Sequence, residues 1–493
     1  MEFWGLILCL LLTITLLQTL HSILRPTRTK SNLPPGPTPL PVIGNLLKLS
    51  NKPHKSMAEL AKTHGPIMSL KLGQITAVVI SSPALAKEVL KKQDLAFSFR
   101  TIPNALQAYD QHKYSAVWLP VSDRWRSLRK IMTSNMFSVA RLDANQNQRR
   151  EKVKDLIAYA EKCCQEGVAF DIGRAAFTTS LNMLSNTFFS VDLADLSQDS
   201  AKELNDLVVS MAVEAGKPNL VDYFPVLAKI DPQGIRKRMT VYFGKILQLF
   251  GRLIDERLNL RELYNPNAEK DVIDILLNLS EEIDRTHIER MCLDLFIAGT
   301  DTTSTTIEWA MAELLHNPEY LKKAKTELEQ IIGKGKPIHE SDISQLPYLR
   351  SIVKETMRIH PPAPFLLHRV ETDVEVYDYT VPRGAQVLVN VWAIGRDPSI
   401  WRNPTTFMPE RFLESEIDVR GQDFELIPFG AGRRMCPGLP LGLRMVHVVL
   451  GSLINSFDWK LEGGITRKEL DMDDKFGITL RKAQPLRAIP FHM

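Results

Sequence analysis

The sequence predicts a mainly α-helical body with a minor β portion, preceded by one N-terminal transmembrane helix. Three observations lead there. Phe3 to Leu20 reads FWGLILCLLLTITLLQTL, an uncharged apolar run long enough to cross a bilayer as a helix. From Pro83 onward, apolar residues recur mostly at helical spacing. The β-like runs are few and short, lying between Ile67 and Ser82 and between Val374 and Leu388.

Composition narrows the class. The 493 residues are 44% apolar and 24% charged, which suits a folded body and not a disordered chain. A net charge of +4 is too small to argue for nucleic acid as a partner. The five cysteines are Cys9, Cys163, Cys164, Cys292 and Cys436. Few, odd in number and without metal-ligand spacing, they suggest neither a disulfide framework nor a zinc site.

Taken in order, the chain begins with a signal anchor at 1–24. Glu2 replaces the basic residues of a cleavable signal peptide, and no small-x-small cleavage site follows. Arg25, Arg28 and Lys30 flank the run on its C-terminal side, so the body is expected to face the cytosol. Residues 25–44 carry that flank and Leu33-Pro34-Pro35-Gly36-Pro37-Thr38-Pro39-Leu40-Pro41, a stiff extended hinge. Residues 45–493 form one large body. Its expected helices include Pro83–Lys92, Arg149–Cys164, Ser200–Ala215, Gly234–Leu258, Ile288–Leu315 and Leu439–Leu453.

Phe429-Gly430-Ala431-Gly432-Arg433-Arg434-Met435-Cys436-Pro437-Gly438 is the stretch richest in chemistry. Glycines allow main-chain N–H groups to converge on one point. The helix expected next places the Cys436 sulfur near a helix N-terminus, which favours a thiolate. Such a sulfur suits the axial ligand of a haem, with Arg434 close enough to meet an anionic group on it. A buried structural cysteine remains the alternative at this point. A dinucleotide loop does not, because Met435 stands where the third glycine belongs.

Upstream, Ala298-Gly299-Thr300-Asp301-Thr302-Thr303 puts an acid, hydroxyls and a glycine in mid-helix, where they compete with backbone hydrogen bonding. Ala298 and Gly299 would admit a flat cofactor and permit a kink. Asp301 and Thr302 would then relay protons; helix-bending residues are the plainer reading. Glu355 and Arg358 share a helical face and could be an ordinary surface pair. Trp125 and Arg129 also share a helical side, beside Arg124, Arg126 and Lys130.

The 429–438 loop resembles the haem-binding signature of the cytochrome P450 family through Phe429, Gly432, Arg434, Cys436 and Gly438. Three further family motifs follow the expected order: the 298–303 segment, Glu355-x-x-Arg358 with Pro409-Glu410-Arg411-Phe412, and Trp125-x-x-x-Arg129. The resemblance covers essentially the whole chain and implies the cytochrome P450 fold. It implies haem b (iron protoporphyrin IX) with Cys436 as metal ligand, and Trp125, Arg129, His368 and Arg434 around the cofactor. It also implies Asp301 and Thr302 in oxygen activation, and Glu355, Arg358 and Arg411 in a structural network. One departure stands out. After Pro361-Pro362-Ala363-Pro364 the family's usual proline is missing, so either His368 or Arg369 meets a haem propionate.

A thiolate ligand pushes electron density onto iron and favours O–O cleavage. The chain lacks a complete Gly-x-Gly-x-x-Gly element and a flavin-like second domain. Electrons are therefore expected from a separate membrane-bound NADPH–cytochrome reductase, as in plant microsomal members of the endoplasmic reticulum. O2 would be the co-substrate. Segments 215–220, 392–398 and 436–441 look like a plant group acting on terpenoids, and within it 287–296 and 475–480 look most similar to members that hydroxylate geraniol or nerol at a terminal allylic methyl. Relatives acting on a sesquiterpene, a diterpene or an alkoxycoumarin are the alternative. A small lipophilic terpenoid fits an apolar pocket, for which family position nominates Asn104, Leu106, Phe296, Ala298, Phe365 and Ile478.

Overall fold

The structure, a computed structural model, describes residue 13 and residues 32–196, 199–263, 271–279 and 283–492. Apart from Thr13, the expected anchor and its basic flank lie outside the described residues. The described part of the hinge does not hang free. Ser69 donates through its backbone N–H to Pro35 O at 2.8 Å and through its hydroxyl to Pro34 O at 2.7 Å, laying the proline run along the first strand.

Eight helices position the site: α1 (Asp123–Ile131), α2 (Gln146–Glu166), α3 (Ile172–Phe189), α4 (Asp199–Gly216), α5 (Ile235–Leu263), α6 (Arg285–His316), α7 (Pro347–Ile359) and α8 (Leu439–Ser456). Local chemistry sets several starts. Ser122 Oγ accepts from Trp125 N at 3.3 Å, Asp171 Oδ1 from Arg174 N at 2.9 Å, and Asp284 Oδ1 from His287 N at 2.9 Å. Pro347 opens α7, where a missing N–H costs nothing.

The core forms around α6, which packs along α3 and also meets α5, α7 and α8. Residues on all sides of α6 are buried, so it behaves as an inner helix and not as an amphipathic surface one. Among the described residues, α8 is the helix long and apolar enough to cross a membrane, yet 72% of it is buried within the body. It is core.

The main sheet has the order β1 (Ile67–Leu72), β2 (Ile75–Ile80), β4 (Gln386–Asn390), β3 (Phe365–Arg369). The β1–β2 and β3–β4 pairs are antiparallel, and β2 runs parallel to β4. Two expectations need correction. Pro83–Lys92 is an α-helix only to Lys87 and continues as a wider π-type turn over Glu88–Lys92. The 374–388 patch is not one unit either. Val374–Val376 and Tyr379–Val381 form a separate hairpin, turned by Tyr377 at φ 50°, before β4 joins the main sheet.

Candidate active site

The 429–438 loop closes on itself by short hydrogen bonds. Gly430 N donates to Ile427 O at 3.0 Å, Met435 N to Gly432 O at 3.1 Å and Cys436 N to Phe429 O at 2.9 Å. Gly432 is required twice over: its φ is 65°, and a Cβ there would lie 2.0 Å from Leu90 O. α8 begins three residues after Cys436, as expected, and the backbone N–H groups of Gly438 and Leu439 point at the sulfur.

Cys436 lines a cavity of about 390 Å³ and is exposed to it, while protein packed around that space surrounds the sulfur. Burial pushes its thiol pKa up, while those two N–H groups and the Arg129 guanidinium pull it down. A thiolate therefore needs one more positive charge at the sulfur.

One wall of the cavity carries three guanidiniums, from Arg100, Arg129 and Arg434. Arg434 donates from Nε to Ser98 O at 2.8 Å and from Nη2 to Leu119 O, and lies 4.9 Å over the Trp125 ring. Arg129 donates to Met435 O, and Arg100 donates from Nη1 to Leu367 O at 3.0 Å. Arg100 Nε is buried without a partner. Among the described residues, no carboxylate pairs with any of the three. Burial lowers the pKa of Arg100 to about 10 and, helped by Arg100 and Arg129, that of Arg434 to about 9. Positive charge buried without an anion is costly. A flat cofactor with two carboxylates on one edge and an electrophilic metal at its centre meets both demands, so these residues fit haem.

Individual expectations fare unevenly. Trp125 and Arg129 both line the cavity, but the Trp125 indole N–H donates to Ala116 O at 3.0 Å and not into the open space. Between His368 and Arg369, only His368 faces the cavity; Arg369 is half exposed and pairs with Glu371 at 3.3 Å. Burial and the nearby Arg100 push the His368 pKa down to about 3. Its Nδ1 lies 2.6 Å from Phe97 O, which can only accept, so the ring proton belongs on Nδ1. Neutral His368 then offers a carboxylate no donor. Arg100, which sequence reasoning passed over, has the free N–H that the role requires.

Thr302 lines the cavity, with its hydroxyl donating to Ala298 O at 2.6 Å. Asp301 does not. Its buried carboxylate accepts from the Thr479 hydroxyl and pairs with Arg481, about a quarter of a turn around the helix from Thr302. It anchors the 479–481 segment, whose neighbour Ile478 does line the cavity. α6 continues as one helix from Arg285 to His316, although Thr300, Thr302 and Thr306 all donate to carbonyls one turn back, bonds that tend to bend a helix. Gly299 serves packing too, since a Cβ there would come 2.7 Å from Leu184 Cδ1 on α3.

Of the pocket candidates, Ala298, Phe365 and Ile478 line the cavity. Asn104, Leu106 and Phe296 do not. Phe296 sits in an aromatic cluster with Phe250 at 4.9 Å and Phe188 at 5.5 Å, and Leu106 is part of the same core. Asn104 is buried beside Gln107 and Asp222. Leu184, Val117 and Leu295 supply apolar wall instead.

Asp294, one turn before Ala298, was also missed. It accepts from Ser115 Oγ at 2.7 Å, from Gln111 Nε2 at 2.9 Å and from the backbone of residues 116 and 117. Burial raises its carboxyl to about 6. It fixes the loop whose carbonyls hold Trp125 and Arg434.

Glu355, Arg358 and Arg411 form a buried cluster away from the cavity. Glu355 meets Arg358 in a two-pronged pair, 2.7 Å at each prong, and accepts from Arg411 Nε at 3.0 Å.

Comparison with known proteins agrees with this geometry. The Cytochrome P450 family profile matches residues 34–486. The chain is 64% identical to a geraniol 8-hydroxylase of Swertia mussotii and 63% identical to one of Catharanthus roseus, in each case over 99% of both chains. A zebra fish cytochrome P450 structure with progesterone superposes with a TM-score of 0.75 at 25% identity, covering 89% of this chain and 99% of that one. A cysteine sulfur and an anion-seeking wall facing one cavity, within a profile match spanning nearly the whole body, have one common account: the chain belongs to the cytochrome P450 family of haem-thiolate monooxygenases.

Proposed function

We propose that the protein hydroxylates geraniol, and its isomer nerol, at a terminal allylic methyl, using O2 and electrons delivered from NADPH by a separate reductase. Near-full-length identity of 64% to a geraniol 8-hydroxylase carries this reading. The cavity supports it. Away from the arginine wall its lining is mainly apolar, through Val117, Leu184, Leu295, Ala298, Phe365 and Ile478, which suits a small lipophilic chain.

When bound, haem supplies the activation of O2 that side chains alone cannot perform. Cys436 would hold the metal, and Arg100, Arg129 and Arg434 would hold the propionates. The apolar wall orients the substrate methyl and keeps water out. Thr302 Oγ1, whose one proton is donated to Ala298 O, can take a proton from a donor on a free lone pair and hand on its own by turning that O–H from Ala298 O into the cavity. Asp301 acts at a distance, by holding the segment next to Ile478. Glu355, Arg358 and Arg411 stabilise the fold.

Arg124, Arg126 and Lys130 are exposed on α1, a basic face suited to an acidic reductase surface. We assign the protein to the endoplasmic reticulum membrane as a single-pass protein whose body faces the cytosol. The Phe3–Leu20 run supports this, as do the exposed Leu40, Leu47, Leu220, Val226 and Ile230 on the body.

The test is a microsomal assay with added plant reductase, NADPH and geraniol, read by mass spectrometry. Formation of 8-hydroxygeraniol, with activity staying in the membrane pellet after an alkaline wash, is expected. A normal haem spectrum without that product would overturn the substrate reading.

Thr302→Ala is expected to keep haem and to consume NADPH, while product per NADPH falls several-fold and hydrogen peroxide rises. Unchanged coupling would remove Thr302 from the relay.

A further inference from the structure

The strand Arg487–Phe491 pairs antiparallel with Asp458–Leu461 and with Phe170–Asp171. That pairing carries the next residue, His492, to the last turns of α2. There Glu161 and Cys164 lie three apart and so share one face of the helix. His492 Nε2 sits 2.8 Å from Glu161 Oε2. A carboxylate oxygen, the Cys164 sulfur and an imidazole nitrogen all come within 4.8 Å of one another. None of the three residues lines the haem cavity. No spacing along the chain announces the group, because 331 residues separate Glu161 from His492.

An ordinary surface ion pair needs only Glu161 and His492, and this group has more. Cys164 adds a free, half-buried thiol as a third corner. Gln165 Nε2 donates to Glu161 Oε1 at 3.1 Å, which holds one carboxylate oxygen and leaves Oε2 toward the group. The Phe457 ring lies 5.2 Å from the His492 ring and limits how the imidazole turns. Metal ligands are oriented by neighbours of this kind. The hydrogen bond from His492 also holds the Glu161 carboxyl below the usual carboxylate range, so that it is ionised at neutral pH.

The donor set selects the ion. Calcium and magnesium take oxygen ligands, whereas zinc accepts sulfur, nitrogen and oxygen together at about 2.0–2.3 Å. Tetrahedral ligands at those bond lengths stand about 3.4–3.6 Å apart, so side-chain turns of about 1 Å close the group.

We propose that Glu161, Cys164 and His492 form a zinc site that fastens the C-terminal strand to α2, with water in the fourth position. Zinc takes the lone pair of His492 Nε2, with the ring proton on Nδ1, and displaces the Glu161–His492 hydrogen bond. The Cys164 thiol releases its proton to solvent as the Zn–S bond forms. Cys163, the next cysteine along the helix, cannot stand in, because it is buried in the core.

Untagged full-length holoenzyme in lipid nanodiscs tests this. The protein is dialysed against zinc buffered in the nanomolar range, and metal per haem is counted by mass spectrometry, corrected with empty discs. One zinc per haem is expected, and X-ray absorption at the zinc edge should show one sulfur at about 2.3 Å. Cys164→Ser and His492→Gln should each lose that zinc while haem content and the carbon monoxide spectrum stay as in the native protein. Zinc should also slow alkylation of Cys164 by iodoacetamide several-fold in the native protein and not in His492→Gln. Absence of bound zinc in the native protein, zinc without a sulfur neighbour, or full zinc content in either variant would overturn the proposal and leave a surface ion pair.

Discussion

Cys436→Ser is expected to abolish the red-shifted Soret band of the reduced carbon monoxide complex and to reduce monooxygenase turnover to background. The serine would keep the loop, since Cys436 N still donates to Phe429 O and the turn is set by Gly432 at φ 65°. It would not keep the ligand. A hydroxyl ionises far less readily than a thiol, and burial at this position already opposes ionisation of the thiol. The Gly438 and Leu439 N–H groups and Arg129 help a thiolate but are too weak to ionise a buried alcohol. The three other described cysteines offer no replacement: Cys163 and Cys292 are buried in the core, where burial raises both thiols, and half-buried Cys164 on α2 does not line the cavity. Haem can still enter, because the three arginines that seek its carboxylates are untouched. The measurement is therefore clean: haem content retained, thiolate spectrum and turnover lost. Survival of the band would place the ligand elsewhere.

How far the sequence could be read follows from the range of the interactions involved. The Cys436 loop was legible because its chemistry is local; glycines, N–H groups and the sulfur lie within one turn of chain. α6 was legible as a helix to within a few residues, since its apolar and hydroxyl residues have helical spacing throughout. The side of α6 on which Asp301 lies was not. That depends on Arg481 and Thr479, nearly two hundred residues away, and no local pattern announces such a partner. Phe296 was misplaced for the same reason, because rotation about α6 assigns it to Phe250 and Phe188 and gives the cavity to Leu295 and Ala298. β3 was missed because Pro361, Pro362 and Pro364 lead into it, and its pairing with β4 is not visible along the chain. Arg100 sits in an irregular stretch between elements, where periodicity says nothing about direction.

Glu355→Ala is expected to destabilise the protein more than any other single change considered, though it touches nothing in the cavity. Glu355 and Arg358 both have fully buried side chains, with relative exposure 0%. The carboxylate accepts from Arg358 Nε and Nη2, from Arg411 Nε, and from Met408 N at 2.8 Å. Arg358 Nη1 meanwhile donates to Gly395 O and to Pro404 O at 2.7 Å, tying α7 to the 395–411 segment. Arg358 also lies 5.2 Å over the Trp401 ring. Removing the carboxylate strands two guanidiniums and one backbone N–H in a site that excludes water. Breaking a buried pair in this way typically costs about 3–5 kcal/mol, against a total stability of about 5–15 kcal/mol for a folded domain. Little haem-loaded protein should accumulate, and what does should unfold at a clearly lower temperature. Glu355→Gln should rescue only partly, because its NH2 group faces guanidinium donors where an acceptor is needed. Arg358→Lys should fail for a related reason: one ammonium cannot hold Glu355 in two prongs and still reach Gly395 and Pro404. Replacing Glu355, Arg358 and Arg411 together by apolar residues of similar volume should recover stability relative to Glu355→Ala, since no charge is then left unpaired. An unfolding midpoint for Glu355→Ala equal to that of the native protein would show that the cluster contributes nothing to the fold.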